Sequence, residues 1–432
     1  MVAAKPKLIR LMSPATQPKN RVPLSSQTMP PRQADTDPRH PLTLRNGSAT
    51  FLIALASLMM ANLAPFIITA LMTLGFDAVA AGNILTWALL ASAVVGLGTG
   101  RIASGRLRRP LAVAGLVVAV LAFGLATFVT TPAVAIAGLI VGGAGVGAAI
   151  STSGAAIAAL RNPNRVSATS GLVNRALITV ILAIIPLIGI TQGSVFGTLA
   201  GISLVGLALT SWLPNAPEHA APVDVTSSLQ IAEPRRITIA GIAILFLFPL
   251  WGTSEDAIWT MAPVMGDALG IGEQSLGFTL SLAAGGGIVG MVIAAIIGDR
   301  FGRAWPLAIA LVIGGALKVW TGLTADPTTY AVLIIAVSSI YAFAFALFIA
   351  TAAGLDARGR WSGPLLGAYL VGSSFAPLIG GLFIAWFGIG GFTLITGIVS
   401  FAVIVPVVLV ARVSTGAERA LARSAAREAA NA

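Results

Sequence analysis

Apolar residues in this chain come in long unbroken stretches, without the alternation that a membrane barrel strand would need. A bilayer core of about 30 Å asks for about 20 apolar residues per helix, and twelve runs meet that length. The first six cover Thr50–Leu74, Ala81–Ala103, Leu111–Val129, Ala133–Leu160, Thr169–Ile190 and Phe196–Leu213. A polar stretch, Pro214–Ile237, follows. The second six cover Thr238–Ala262, Ser275–Ile297, Ala304–Leu323, Tyr330–Leu355, Ser362–Phe387 and Phe392–Val410. The pattern therefore predicts an all-α membrane protein of twelve transmembrane helices in two six-helix bundles. The expected divisions are a disordered basic tail (1–48), a first bundle (49–213), a linker (214–237), a second bundle (238–412) and a cytoplasmic tail (413–432).

Composition agrees with burial in lipid. Of the 432 residues, 56% are apolar and only 9% charged, too few charges to clothe a water-soluble surface of this size. The net charge of +11 suggests nucleic acid until the charges are placed. With the N-terminus inside, 24 of the 26 Lys and Arg residues fall in inner segments, and the outer loops carry only Asp77, Asp267, Glu273 and Asp326. That bias is the positive-inside signature, with both termini cytoplasmic, the plasma membrane as location and no nucleic-acid partner. The tail ahead of residue 49 holds eight prolines and few large apolar residues, a composition that cannot form a core. Met29 offers an alternative start.

With no cysteine, disulfides, thiolate metal sites and a cysteine nucleophile are excluded. Both histidines, His40 and His219, lie outside the apolar runs, so no intramembrane histidine–metal site forms. No P-loop is present, which argues against ATP drive. The sequence implies no cofactor, no metal and no enzyme chemistry.

The halves repeat. Ala64-Pro65 matches Ala262-Pro263, and Pro186-Leu187-Ile188-Gly189 recurs as Pro377-Leu378-Ile379-Gly380. Gly82 and Ser104 lie 22 positions apart, as do Gly277 and Asp299. The loop Gly298-Asp299-Arg300-Phe301-Gly302-Arg303 resembles the D-R-x-G-R part of the loop motif of the major facilitator superfamily. Its first-half counterpart, Gly100 to Pro110, resembles the motif's longer form, with Ser104 in place of the family's Asp and Leu107 in place of its second Gly; Arg108 and Arg109 fill the basic positions. The resemblance covers about residues 49–412. It implies a secondary transporter with two like-oriented bundles rocking about a shared site, expected to act as a monomer on a small-molecule substrate. Val141 stands where proton-coupled members carry Arg, and span five lacks the G-P-x-x-G-G of many drug antiporters.

The loop motif supplies candidate gating residues: Ser104, Arg108, Arg109, Asp299, Arg300, Gly302 and Arg303. Asp299 is expected to latch onto a helix end or an arginine, and Ser104 to make the first-half latch weaker. Arg300 and Arg303 read equally as topological anchors.

Ionisable groups at membrane depth are functional candidates by default. Glu255 and Asp256, adjacent in span seven, are candidate proton carriers, because apolar surroundings favour a neutral carboxyl; the bland alternative is a wetted helix end. Trp251, Glu255 and Trp259 share a face at i, i+4, i+8 and suggest a cage for a cation or a planar ligand. Gly252, Asp256 and Thr260 form the small-residue face beside it. Arg175, next to Asn174 in span five, is either an anion contact or a snorkelling arginine. Lys318 in span nine is expected to snorkel outward. Asn62, Asn83, Trp87, Tyr341, Tyr369 and Ser373 lie in spans that line the central path of the resembled family. The favoured reading is proton-coupled movement of a small organic acid or similar metabolite across the lipid bilayer. The alternatives are efflux of amphipathic cations and a non-transporting membrane sensor.

Overall fold

The computed structural model describes residues 39–161, 163–215, 235–355 and 361–431, apart from the side chains of 163–164, 298–301, 363 and 420–431. The tail up to residue 38, linker residues 216–234 and the loop holding Arg358 and Arg360 lie outside the described residues. Ten helical stretches are long and apolar enough to cross a membrane, and Gln192–Ala208 is a shorter apolar helix. One of the ten, Pro364–Arg419, contains a reversal at Gly388 (φ 68°) and so holds two spans. The described residues thus hold twelve spans.

Span one comprises α1 (Leu44–Asn62) and α2 (Ala64–Thr73), and span two comprises α3 (Ala78–Gly98) and α4 (Gly100–Ser104). Spans three to six are α5 (Arg108–Phe128), α6 (Pro132–Ala158), α7 (Pro163–Ile188) and α8 (Gln192–Ala208). Spans seven to ten are α9 (Arg235–Ala268), α10 (Glu273–Phe301), α11 (Ala304–Leu323) and α12 (Pro327–Ala353). Span eleven joins α13 (Ser362–Ser374) to α14 (Ala376–Ala402) as far as Gly388, and span twelve continues into α15 (Ile404–Asn431).

Local chemistry sets the boundaries. Thr43 and Asn46 cap α1 reciprocally, which starts the helix at Leu44, ahead of the apolar run. Proline lacks the N–H that continues a helix, and the interruptions at Leu63, Phe375 and Val403 fall just before Pro65, Pro377 and Pro406. Pro186 and Pro263 are instead accommodated inside continuous helices. Two loop acids serve as helix caps: Asp77 accepts from the Ala80 N–H at 2.7 Å and Asp326 from the Thr329 N–H at 2.7 Å. Bonds from the hydroxyl and N–H of Thr329 hold the exposed Asp326 carboxyl below its usual range.

Glycine lets the helices close up. In the first bundle Gly143 lies against the Ala88 carbonyl and Gly147 against that of Ser92; in the second, Gly290 lies against the Ser339 carbonyl. The repeated motifs meet across the bundles. Gly82 of span two packs on Pro377 of span eleven, and Gly277 of span eight packs on the ring of Pro186 of span five. Each proline motif thus rests on the other half's copy of the repeated glycine. The Leu378 N–H donates to Thr86 Oγ1 at 3.2 Å, Ser281 Oγ to the Thr179 carbonyl at 2.6 Å, and the Ile190 N–H to Glu273 at 3.4 Å. These contacts lie toward the end that carries Asp77, Glu273 and Asp326. Toward the basic end the halves approach at Leu97 and Gly367.

Candidate functional site

Span seven brings Gly252 and Asp256 to one face, four residues apart. Span eleven brings Tyr369 and Ser373 to its own face at the same spacing. The helices meet closely because a Cβ at Gly252 would stand 2.5 Å from Tyr369 Cε2, and one at Gly372 would stand 2.8 Å from Pro249 Cβ. Across this seam the Tyr369 hydroxyl donates to Asp256 Oδ2 at 2.7 Å, and the Ser373 hydroxyl donates to the same oxygen. Tyr341 of span ten extends the chain, its hydroxyl 2.7 Å from that of Tyr369. The rings are held from behind. Tyr369 stacks on Phe248 at 5.1 Å between centroids, and Tyr341 on Trp251 at 5.5 Å.

Arg175 approaches from the other bundle. Its guanidinium carbon lies 5.9 Å from the Tyr341 ring centroid, a cation–π distance, and acts electrostatically on Asp256. Space for it comes from Gly287, where a Cβ would lie 3.4 Å from the guanidinium. Among the described residues the guanidinium makes no hydrogen bond or ion pair. The neighbouring Asn174 keeps a buried Oδ1 without a partner. Beside Ser373 lies a small cavity of about 30 Å³, lined by Ser57, Met60, Leu89, Ser92, Ser373 and Ser374. The site therefore places an anionic group of one bundle and an unpaired cation of the other around two tyrosines, next to a small serine-lined cavity.

The two adjacent carboxyls are used differently. Glu255 Oε1 accepts from Lys318 Nζ at 2.8 Å, and Ser254 Oγ lies 3.2 Å from the same nitrogen. The Lys318 side chain is 0% exposed and that of Glu255 5%. The expected outward snorkelling of Lys318 is overturned, because a counter-charge within reach inside the bundle holds the ammonium there. Trp251 is 2% exposed and stacked on Phe348 at 4.9 Å, and Trp259 packs against the central apolar core. The Trp251–Glu255–Trp259 stripe is consequently a packed surface closed by an ion pair, and no open cation cage forms there. Spacing along one helix reveals a shared face but not which distant helix supplies a partner, so the lysine was missed as a partner of Glu255.

The remaining candidates are dispersed. Asn62 closes α1 with a buried Nδ2 lacking a partner. Asn83 is exposed, and Trp87, 58% exposed, shares its stripe with Val94 and Leu97. In the loop motif, the buried Arg108 donates to the carbonyls of Ala103 and Pro214 at 2.8 Å each, and Arg109 donates to that of Leu213. Ser104 bonds its own turn at Arg101. Gly302 takes a positive φ of 70°, the conformation for which glycine is suited. Arg303 bonds Ser414 at 3.1 Å and pairs with Glu418 at 3.1 Å, tying this turn to α15. The side chains of Asp299 and Arg300 lie outside the described residues. The arginines thus differ between the halves, binding backbone carbonyls in the first and an acidic side chain in the second.

The family model described as Major Facilitator Superfamily matches residues 49–353 and 244–431. No curated protein matches in sequence. Among solved structures, a D-xylose–proton symporter is similar at 15% identity and a TM-score of 0.66, over 84% of this chain and 95% of that one. The nucleoside transporter NupG is similar at 15% identity and a TM-score of 0.62, over 84% and 98%. The human organic anion transporter MFSD10 is similar at 15% identity and a TM-score of 0.61, over 85% and 99%.

Proposed function

Because the chain belongs to the Major Facilitator Superfamily, and so is a membrane transporter rather than an enzyme, we propose that it carries a small organic anion by proton-coupled alternating access. Asp256 is the proton-carrying carboxyl and Arg175 the anion contact. One observation carries this reading: Arg175 from the first bundle lies over Tyr341, Asp256 from the second accepts from Tyr369, and the two tyrosine hydroxyls are in hydrogen-bond contact. Charges facing one another across two moving bodies respond to loading. A carboxylate substrate neutralises Arg175, a proton neutralises Asp256, and each changes how readily the bundles part. The serines around the small cavity beside Ser373 meet the substrate's polar groups once the bundles part and the cavity widens. The solved proton symporter and organic anion transporter of the same fold are compatible company for it. Of the two carboxyls, Asp256 is preferred because Glu255 is engaged by Lys318. The protein works as a monomer in the plasma membrane with its basic end and both termini in the cytoplasm.

The test begins with purified protein and a thermal-shift screen of small mono- and dicarboxylates, pentoses, nucleosides and tetraphenylphosphonium. Carboxylates should raise the melting temperature of the parent and not of Arg175→Ala. In proteoliposomes, uptake of the responding carboxylate should follow an imposed pH gradient and vanish in Asp256→Asn. A parent stabilised by tetraphenylphosphonium alone, or an Asp256→Asn variant that still accumulates substrate against its gradient, would overturn the reading.

A further inference from the structure

Lys318 is the most deeply buried cation among the described residues, and transport as read above has no use for its charge. It sits five residues from the outer end of span nine, roughly 8 Å by helical rise, so its flexible stem could reach the interface. Instead its side chain is 0% exposed and its ammonium bonds Glu255 Oε1 at 2.8 Å and Ser254 Oγ at 3.2 Å. Spans seven and nine share no extensive backbone contact; the pair bridges them. Both partners belong to the second bundle, so rocking of the bundles does not part them.

Neighbouring residues on a helix point about 100° apart. Holding Glu255 toward span nine therefore turns Asp256 toward span eleven, where Tyr369 and Ser373 receive it. We infer that Lys318 is a positioning residue: its ion pair with Glu255 is a neutral strut that sets the rotation of span seven and leaves Asp256 as the one carboxyl free to exchange a proton. This inference rests on the proton-carrying reading of Asp256. The other titratable groups acting on Asp256 are Tyr369, Tyr341, Glu255 and Arg175. The strut fixes which of them it meets.

Dicyclohexylcarbodiimide tests this without a known substrate, since it reacts with protonated carboxyls in apolar surroundings. Purified full-length protein is treated across a pH series, and the modified residues are identified by mass spectrometry. In the parent, Asp256 should be modified, increasingly at low pH, and Glu255 should not. Lys318→Met should make Glu255 reactive. In Glu255→Gln/Lys318→Met, whose charges again balance, the midpoint of the Asp256 profile should move by about one pH unit, the scale on which a changed charge or hydrogen-bond environment acts on a carboxyl. The charge-swapped Glu255→Lys/Lys318→Glu should bring it back. A pair that merely stabilises the fold would leave the profile of the double variant on that of the parent, and this would overturn the inference. Modification of Glu255 in the parent would overturn it too, whatever the variants do. Should the double variant not fold, Lys318→Met alone decides: an Asp256 profile displaced from that of the parent supports the strut, and one that coincides with it refutes it. Failure of the proton-carrying reading is seen separately, as gradient-driven uptake that survives in Asp256→Asn.

Discussion

Tyr369 donates to Asp256 at 2.7 Å while its ring lies stacked on Phe248 and edge-on to Phe345 at 5.3 Å, so its hydroxyl can be removed with little change in packing. A hydrogen bond to a charged group contributes roughly 1.5–3 kcal/mol, and Tyr369→Phe should lower gradient-driven uptake about ten-fold or more while lowering the melting temperature by only a few degrees. Equal losses of uptake and stability would mean that the ring and not the hydroxyl matters. At this scale the sequence was informative where a polar group interrupted an apolar run. Asp256, Tyr341, Tyr369, Ser373 and Arg175 all stand out for that reason, and folding brings these five together. The partner of Glu255 was not legible, because Lys318 lies 63 positions away and nothing in a helical period says which helices become neighbours. Gly252 was visible as a small residue beside Asp256, but its effect, seating the Tyr369 ring, depends on span eleven.

At the level of single helices, a glycine's worth depends on what lies opposite. Gly290 faces the Ser339 carbonyl so closely that any Cβ must displace span ten, whereas Gly201 in span six has nothing within 4 Å of where a Cβ would go. Overpacking costs about 1–3 kcal/mol, and helical Gly→Ala at an open site gains up to about 1 kcal/mol. Gly290→Ala should therefore melt several degrees below the parent in detergent and Gly201→Ala at or slightly above it, as read by scanning fluorimetry. Similar melting of the two variants would remove close packing as the reason for glycine in span eight. Hydropathy announced all twelve spans because each must cross lipid. It was silent on the interruptions at Leu63 and Val403, which are set by the prolines that follow, and on the early start of α1, which is set by a two-residue cap.

For the whole molecule, the repeat carries more than ancestry. Two motifs recognisable as duplicates in the sequence, the prolines of spans five and eleven and the glycines of spans eight and two, are the surfaces on which the bundles rest, crosswise. Alternating access requires these seats to part. Gly82 against Pro377 and Gly277 against Pro186 leave no room for a side chain, so Gly82→Val/Gly277→Val should wedge the bundles open at the end bearing Asp77 and Glu273. The cysteine-free background makes this measurable. Thr86, 2% exposed and bonded across the seam to Leu378, is replaced by cysteine and challenged with a membrane-impermeant maleimide. In the Thr86→Cys background labelling should be slow, and the valine pair should speed it at least ten-fold, a shift of about 1.4 kcal/mol in the opening equilibrium. Both valines sit where the halves touch and outside the Asp256–Tyr369 seam, so a folded variant still labelled at the parent rate would show that the crosswise seats do not govern which end is closed.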